Sequence, residues 1–541
     1  MDIYPALGDS FLKRESILGV FKKRLQAFAQ GYRQNIGLIG IPLTGKSSLM
    51  YLMCDAIREM EMIPVLFRCR ESESFERFSD RWMAEILLSC YRISFGNAPS
   101  QFHDILRSLR SLIPRTLKQM KKVKKSVFAY RFDQAYRELL SLNGILSEEY
   151  KKKVVLMIDD FDRLAELKLT DPFSAFGEEI MIQKETMYIV SSSKPKQGRA
   201  ILQEKLSLLF GNFEVVENHP FDFEEAKEFI KTRLAGRELD ERYVCFLIRM
   251  TDGHPYYLDI LTSRLKSYLS VPDLSDEQLI VRTFARELDD KSGMLHHYFQ
   301  MQLHSLQAGR SWLLAADTLA AISAGHKKFI PITRFLHQAK NDMKKVLQRL
   351  VNGEMIQKHG SIFIIPDPLF RFWLASVYHR DRFLFHSDRI QARQAFVREV
   401  EQAIQKSIHA DASELPKRIE ELFRQFKNDV VEMQERKLMC PQFSEVISKP
   451  NNGRVFPVVA KSAKTRWMCQ VLSQRVTEED IHVFVQDLER LRSPVQKRMI
   501  VGLRGIDLNA KLLAQEAKIH YLDLRKFNFL LDLYDRPKLV I

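Results

Sequence analysis

Residues 40–47 read Gly40-Ile41-Pro42-Leu43-Thr44-Gly45-Lys46-Ser47, which fits the phosphate-loop pattern G-x-x-x-x-G-K-[ST]. The apolar run at 36–39 predicts a strand before the loop, and residues 48–60 predict a helix after it. Glycines let backbone N–H groups surround phosphate oxygens at the N-terminus of such a helix. We therefore expect the loop and Ser48 to bind a nucleoside triphosphate, with Lys46 on its β- and γ-phosphates and Ser47 on Mg²⁺.

A second segment supplies the acids that this chemistry needs. Residues 153–162 are Lys-Val-Val-Leu-Met-Ile-Asp-Asp-Phe-Asp, an apolar run that ends in carboxylates. Such a run predicts a buried parallel strand, and ligands bind beyond the carboxyl ends of parallel strands. We expect Asp159 to hold Mg²⁺ and Asp160 to act in catalysis by polarising the attacking water.

A further strand, predicted over 187–193, ends in three serines. Ser192 or Ser193 would sense the γ-phosphate, and we take Ser192 as the candidate catalytic residue beside Lys46 and Asp160. A serine cluster between a strand and a loop explains the same pattern without any catalytic role. Arg199 is a candidate arginine finger by position alone.

The chain resembles the archaeal-type ATPases of the STAND group, within the AAA+ superfamily. The residues that carry the resemblance are Arg14-Glu15, the loop at 40–47, the segment 159–164, Pro220-Phe221 and Gly253-His254-Pro255, and the resemblance covers residues 1–385. It implies an α/β P-loop core and ATP or ADP with Mg²⁺ as cofactors. It also implies a helical lid that places His254 and Pro255 over the nucleotide base. A helix that starts with proline in its first turn explains those two residues equally well in physical terms.

The same resemblance suggests slow turnover. In the superfamily the second acid of the acidic strand is commonly glutamate, whereas this chain has Asp160. Aspartate is one methylene shorter and reaches less far toward the attacking water. We expect ATP hydrolysis to ADP and phosphate to be slow.

Residues 311–385 predict three helices and a hairpin that turns at His359-Gly360, which is the pattern of a winged helix-turn-helix. A DNA-reading role would place the third helix in a major groove and the hairpin beside it. The residues concerned are Asn341, Lys344, Lys345, Gln348 and Arg349 on the helix, and Lys358 and His359 on the hairpin. The alternative is an interdomain clamp on the nucleotide state.

Residues 441–541 resemble the restriction-endonuclease-like PD-(D/E)XK fold of Mrr-type nucleases. The order of strands and helices, with 477–481 and 505–510, carries this resemblance. A nuclease of this type holds Mg²⁺ with an aspartate and an E-x-K motif. Here Val458 stands near the first position and Gln470-Val471-Leu472 replaces E-x-K. We therefore expect a degenerate domain without nuclease activity.

Composition sets the remaining expectations. The 541 residues carry a net charge of +15, which suggests a polyanionic partner such as nucleic acid. The densest positive cluster, at 118–125, would suit contact with DNA or a partner, but a solvated helix face explains it better. Six cysteines without a C-x-x-C pair argue against zinc and disulfides and fit a reducing cytoplasm. No signal peptide and no long apolar run are evident, so we expect a cytoplasmic protein that does not bind membranes.

The expected fold class is α/β, with a P-loop core, lid, winged helix, helical connector and degenerate C-terminal domain. The expected ranges are 1–221, 222–290, 291–385, 386–440 and 441–541, in that order. The leading hypothesis is an ATPase that acts as a nucleotide-controlled switch, coupled to DNA or a protein partner and able to form homo-oligomers. The alternative is a DNA-binding regulator or defence component whose nucleotide is structural.

Overall fold

The computed structural model describes residues 14–97, 99, 101–206, 213–269, 273–308, 312–383, 389–433, 436–448, 457–489 and 494–540. The chain forms two compact units, Met1–Pro220 and Phe221–Ile541. The finer five-part division expected from the sequence stays a prediction. Among the described residues, no helix combines the length and the apolar character that crossing a membrane requires.

The first unit is an α/β unit built on a five-stranded sheet. Its elements are α1 Glu15–Ala29, β1 Asn35–Ile39, α2 Lys46–Glu59, β2 Ile63–Arg68, α3 Phe75–Phe95, α4 Phe102–Leu109, α5 Pro114–Phe128, α6 Phe132–Leu140, α7 Leu142–Tyr150, β3 Val154–Asp159, α8 Pro172–Ile182, β4 Thr186–Ser192, α9 Pro195–Ala200 and β5 Phe213–Glu217. The strand order is β2-β3-β4-β1-β5, and every pairing is parallel. This confirms the α/β class and the parallel core.

Strand β3 shows why the sheet is buried on both faces. Its side chains alternate between two separate cores, as the two-residue period of a strand requires. Val155 and Met157 pack with α1 and α2, whereas Leu156 and Ile158 pack with the helices on the other face. Because both faces are covered, the strand reads as a continuous apolar run.

Five helices, α3 to α7, lie between β2 and β3. The sequence predicts a long helical stretch here, and the structure confirms it while breaking it into shorter segments. Pro114 occupies the first turn of α5, where proline fits a helix start. The insert packs against one face of the sheet through residues such as Trp82, Val123 and Leu139.

The second unit begins with helices and ends with a mixed sheet. Its elements are α10 Phe223–Arg233, α11 Glu241–Thr251, α12 Pro255–Tyr268, α13 Asp276–Phe284, α14 Met294–His304, α15 Trp312–Ser323, α16 Phe329–Phe335, α17 Lys340–Asn352, β6 Gln357–His359, β7 Ile362–Ile364, α18 Pro368–Trp373, α19 His379–Phe383, α20 Arg389–Ala412, α21 Leu415–Phe423, β8 Asp429–Met433, β9 Arg436–Cys440, β10 Glu445–Ser448, β11 Val458–Lys461, β12 Arg466–Leu472, α22 Glu478–Glu489, β13 Lys497–Gly502, α23 Leu508–Glu516, β14 Ile519–Asp523 and α24 Leu524–Leu533. The three helices α15 to α17 and the hairpin β6–β7 lie where the sequence predicts them.

The hairpin β6–β7 packs against β8 of the same unit. Gly360 at its turn has φ +66°, and a Cβ there would lie 2.2 Å from the carbonyl oxygen of Val430. The Ser361 N–H donates to that oxygen at 2.9 Å. The His359 ring meets the Phe529 ring edge to face, with centroids 4.6 Å apart. The turn of the hairpin is therefore enclosed by the C-terminal part of the chain.

The C-terminal sheet has the order β10-β11-β12-β13-β14. Strand β11 is antiparallel to both of its neighbours, and β12, β13 and β14 are parallel. The predicted helical connector is correct for α20 and α21 but wrong beyond Phe423, because the hairpin β8–β9 follows. The apolar residues within 454–460 predict a strand. The structure has β11 there from Val458, and residues 454–456 lie outside the described residues. Strand β10 has no counterpart among the predictions.

Candidate nucleotide site

The loop at 40–47 connects β1 to α2 at the carboxyl edge of the sheet. Residues 40–45 form the loop itself, and Lys46, Ser47 and Ser48 form the first turn of α2. Gly45 has φ +93°, and a Cβ on Gly40 would lie 2.3 Å from the carbonyl oxygen of Asn218. Both glycines are thus required by the backbone, and the structure brings the whole predicted loop to a helix N-terminus.

Lys46 folds back into the loop. Its Nζ donates to the carbonyl oxygens of Gly40 at 2.9 Å and Ile41 at 2.7 Å. The side chain is only 4% exposed. Burial lowers the pKa of Lys46 to about 8, partly offset by the nearby charges of Asp160, Asp159 and Asp162. The ammonium group is therefore fixed inside the loop and costs free energy to keep charged.

Ser47 and Asp159 meet across the sheet edge. The Ser47 hydroxyl donates to Asp159 Oδ2 at 2.6 Å, although the two residues are 112 positions apart in sequence. Ser191 donates to the other oxygen of Asp159. The Asp159 carboxyl is buried, and burial followed by the charge of Asp160 raises its pKa. One hydroxyl and one carboxylate oxygen are ligands that suit Mg²⁺, which usually takes one or two protein groups, several waters and substrate phosphates.

The described residues contain no cluster of three or more histidine, cysteine, aspartate or glutamate side chains with metal-binding geometry. The Ser47–Asp159 pair contains a single carboxylate and is not a cluster of this kind. The chemistry of the donor pair fits Mg²⁺ that is bound together with a nucleotide, and does not fit a self-sufficient protein cage.

Asp160 lies at a strained backbone position and is surrounded by polar groups. It has φ +55°, which is uncommon for a residue other than glycine. Its carboxylate accepts a hydrogen bond from Ser193 Oγ at 2.7 Å. Arg68 Nε, at the end of β2, lies 3.7 Å from Asp160 Oδ2 and 3.9 Å from Asp159 Oδ2. Sequence reasoning missed Arg68, because only the pairing of β2 with β3 places it beside the two acids.

The three serines at the end of β4 divide between two environments. Ser191 and Ser193 contact Asp159 and Asp160, whereas Ser192 is fully buried and donates to Asp162 Oδ1 at 2.7 Å. The alternation follows from the two-residue period of the strand. The structure therefore brings Ser193 to the acid pair and turns Ser192 away from it. A catalytic role for Ser192 stays a prediction.

Arg14 connects to the loop through Asn218. Arg14 Nη1 donates to Asn218 Oδ1 at 2.9 Å and also to the carbonyl oxygen of His219. Asn218 Nδ2 donates in turn to the carbonyl oxygen of Thr44 at 2.9 Å. Arg14, which the sequence analysis named together with Glu15, therefore supports the loop through Asn218. Asn218 was not singled out, because no local pattern marks it.

Arg199, the candidate arginine finger, lies in α9. It forms an ion pair with Glu217, and His219 Nε2 lies 2.9 Å from the same carboxylate. These contacts lie at the end of β5 and beside α9. Arg199 as an arginine finger stays a prediction.

His254 and Pro255 belong to the second unit. His254 is the N-cap residue of α12, and Pro255 follows in its first turn. The buried His254 ring stacks on the Tyr257 ring with centroids 4.1 Å apart, and Tyr257 Oη donates to Asp367 Oδ2 at 2.5 Å. The structure confirms the helix start. Contact of these residues with a nucleotide base stays a prediction.

The positions expected to carry a nuclease motif lie on neighbouring strands. Val458 on β11 pairs with Cys469 on β12, directly before Gln470. Gln470 and Val471 are buried, and Leu472 ends the strand. A valine, an amide and a leucine supply no carboxylate at these positions.

No protein-family model matches the chain, and no curated protein sequence matches it. Solved structures do. The Walker-type ATPase PABY2304 of Pyrococcus abyssi is 18% identical over 69% of this chain and 99% of that chain, with a TM-score of 0.48. CDC6P from Pyrobaculum aerophilum is 12% identical over 74% and 97%, with a TM-score of 0.35. The ORC1 protein of Aeropyrum pernix, solved in complex with DNA, is 12% identical over 69% and 95%, with a TM-score of 0.37.

Proposed function

We propose that the chain is a P-loop ATPase of the AAA+ class that works as a nucleotide-controlled switch. The observation that supports this best is the meeting of Ser47 and Asp159 at 2.6 Å, directly beside the loop that holds Lys46. A helix N-terminus, a cation, a hydroxyl and a carboxylate converge at the carboxyl edge of a parallel sheet. That is the set of groups that binding a nucleoside triphosphate with Mg²⁺ requires.

Binding would use groups that are already in position. The N–H groups at the start of α2 and the ammonium of Lys46 would pair with the β- and γ-phosphates. Ser47 and Asp159 would hold Mg²⁺, directly or through water, and the metal would neutralise charge on the phosphate oxygens. Lys46 would exchange its carbonyl acceptors on Gly40 and Ile41 for phosphate oxygens.

Hydrolysis would depend on Asp160. Ser193 at 2.7 Å and Arg68 at 3.7 Å already engage its carboxylate and compete with the attacking water for its oxygens. Together with the short aspartate side chain, this supports slow turnover rather than a fast motor.

The second unit would read out the nucleotide state. In this proposal residues 222–290 act as the lid, with His254 and Pro255 contacting the base, and the remaining segments follow its movement. The residues predicted to form a winged helix fall into two groups. One group suits DNA binding and the other suits an interdomain clamp. Lys344 and Lys345 of α17 are exposed, whereas the hairpin turn at Gly360 is packed against Val430. The hairpin turn suits a clamp, whereas α17 offers a basic surface that suits duplex DNA.

The C-terminal sheet would serve as a docking platform. Its mixed order with β11 antiparallel supports the restriction-endonuclease-like interpretation of residues 441–541. Val458 and Gln470 support the degenerate interpretation, because neither can hold Mg²⁺ as a carboxylate does. The alternative function, a DNA-binding regulator with a structural nucleotide, is favoured if turnover is negligible while nucleotide binding persists.

The decisive experiment is calorimetric titration of the purified protein with ATP and Mg²⁺. We expect binding that Lys46→Ala abolishes and that Lys22→Ala, an exposed lysine on α1, leaves unchanged. Ser47→Ala is expected to weaken binding in the presence of Mg²⁺ but not in EDTA. Equal affinity of the parent protein and Lys46→Ala would overturn the proposal.

A further inference from the structure

Helix α5 presents a strongly basic face on the surface of the first unit. It carries six basic residues and no acidic residue: Arg115, Lys118, Lys121, Lys122, Lys124 and Lys125. The opposite side of the helix is buried in the core of the unit through residues such as Met120 and Val123. The exposed side is therefore the only side that a partner can reach.

Three of these lysines are not neutralised. Lys122 lies 3.4 Å from Glu138, Lys124 lies 3.6 Å from Asp80, and Arg115 lies 2.9 Å from Glu148. Lys118, Lys121 and Lys125 form no ion pair within the described part of the chain. They recur at helical spacing on one exposed stripe, which we call the lysine face.

Two exposed aromatic rings follow the lysine face directly. Phe128 is 87% exposed and continues the stripe three residues after Lys125, and Tyr130 is 79% exposed. The turn that carries them is closed by backbone hydrogen bonds from the N–H groups of Ala129, Tyr130 and Arg131 to the last turn of α5. Phe128 and Tyr130 together are called the aromatic turn. Folding leaves both rings in water, although burying such a ring is favourable by about 2–3 kcal/mol.

A solvated helix face explains the lysines but not the rings. An amphipathic membrane helix would need its apolar side outward, and the apolar side of α5 is already buried. Unpaired cations beside flat exposed rings match a polymer that carries both phosphates and planar bases. Proteins bind single-stranded nucleic acid in this way, with basic groups along the backbone and aromatic rings stacked on bases.

We propose that the lysine face and the aromatic turn form a binding site for single-stranded nucleic acid. The lysines contact successive phosphates, and Phe128 and Tyr130 stack on bases. The site lies on the first unit, and is distinct from both the nucleotide loop and helix α17. It does not depend on the ATPase proposal, since it uses neither Lys46 nor Asp159.

The test measures fluorescence anisotropy of a labelled oligothymidylate and of the matching duplex with the full chain, over a range of salt concentrations. K118E/K121E/K125E is expected to weaken single-strand binding at least tenfold. The slope of log affinity against log salt is expected to fall by roughly 2, because each phosphate contact on a single strand contributes about 0.7. A labelled oligouridylate measured in parallel shows whether DNA or RNA binds more tightly, and tighter binding of either supports the site.

The rings are tested separately. F128A/Y130A is expected to weaken single-strand binding by about fivefold or more for each stacked base, while the salt slope stays unchanged. Duplex binding should not respond to this variant. An unchanged single-strand affinity in F128A/Y130A would overturn the assignment.

The matched control is K22E/K23E/K184E, which makes the same change in charge at exposed lysines elsewhere on the first unit. It is expected to retain single-strand binding and the salt slope. Equal losses in the control and in K118E/K121E/K125E would show that only overall charge matters and would overturn the site. Binding of anionic vesicles that K118E/K121E/K125E abolishes, with oligonucleotide binding intact, would overturn it in favour of a membrane surface. Retained ATP binding in every variant separates this result from the ATPase proposal.

Discussion

Folding lowers the pKa of Lys46, a residue of the nucleotide site. Burial lowers the pKa of its ammonium group from 10.5 to about 8. Between these two pH values the unfolded chain binds the proton and the folded chain does not, so this group makes the free energy of unfolding rise with pH across that window. Phosphate contacts would favour the charged form and raise the pKa again.

ATP binding is therefore expected to take up as much as about one proton near pH 9 and almost none at pH 7. Calorimetry in buffers with different ionisation enthalpies measures this uptake. Lys46→Arg should bind without the uptake, since arginine does not titrate in this range. The same uptake in Lys46→Arg would assign the proton to another group.

Asp160 is the residue proposed to polarise the attacking water. Asp160→Asn is expected to lower the rate of ATP hydrolysis by about 10²–10⁴, which is the usual contribution of a general base, with little change in ATP affinity. Asp160→Glu is expected to raise the rate, because the longer side chain reaches further toward the water. Steady-state phosphate release measures both variants, and Glu59→Gln, at an exposed position in the last turn of α2, is the control. An unaffected rate in Asp160→Asn would exclude this base.

Among the elements, the turn of hairpin β6–β7 is enclosed by β8, so the hairpin is not free to move independently of the C-terminal part of the chain. Gly360 and Gly325 both have positive φ, at +66° and +98°, but a Cβ on Gly325 would meet no neighbour within 4 Å. Gly325→Ala is expected to cost about 1–2 kcal/mol for its backbone conformation alone. Gly360→Ala adds a clash with the Val430 carbonyl, which costs about 1–3 kcal/mol more. Thermal unfolding of the full chain compares the two variants, and equal losses would mean that the hairpin is not held by β8.

The local motifs of the nucleotide site were predictable from the sequence, whereas its long-range contacts were not. The loop at 40–47 and the strand that ends at Asp159 were predictable, because each is a contiguous pattern whose chemistry is local. Arg68 and Asn218 were not, because strand order alone brings them to the site. Ser191 and Ser192 end β4 and Ser193 follows it, so the two-residue strand period would have placed Ser191 and Ser192 on opposite faces once the partner of one of them was known. The hairpin β8–β9 was missed because charged residues flank and interrupt its short apolar stretches.

On the scale of the whole chain, a switch requires that the two units respond to the same ligand. The first unit contains the loop, the acids and Lys46, and the second unit contains His254 and Pro255 at the start of α12. A nucleotide can shift the second unit only if it interacts differently with two arrangements of the chain. The γ-phosphate is the part of ATP that ADP lacks, so the difference between these two nucleotides isolates the proposed trigger.

Hydrogen exchange of the backbone N–H groups around α12 tests this coupling. We expect a non-hydrolysable ATP analogue with Mg²⁺ to slow exchange at residues 251–258, and ADP to slow it less, since the proposed lid would protect the start of the helix when it closes. Lys46→Ala should abolish both effects because it removes phosphate binding in the first unit. Helix α24 lies in the C-terminal part of the second unit and serves as the internal reference. If ADP and the analogue protect residues 251–258 equally, the result would contradict the γ-phosphate as the trigger. It would not contradict nucleotide binding itself.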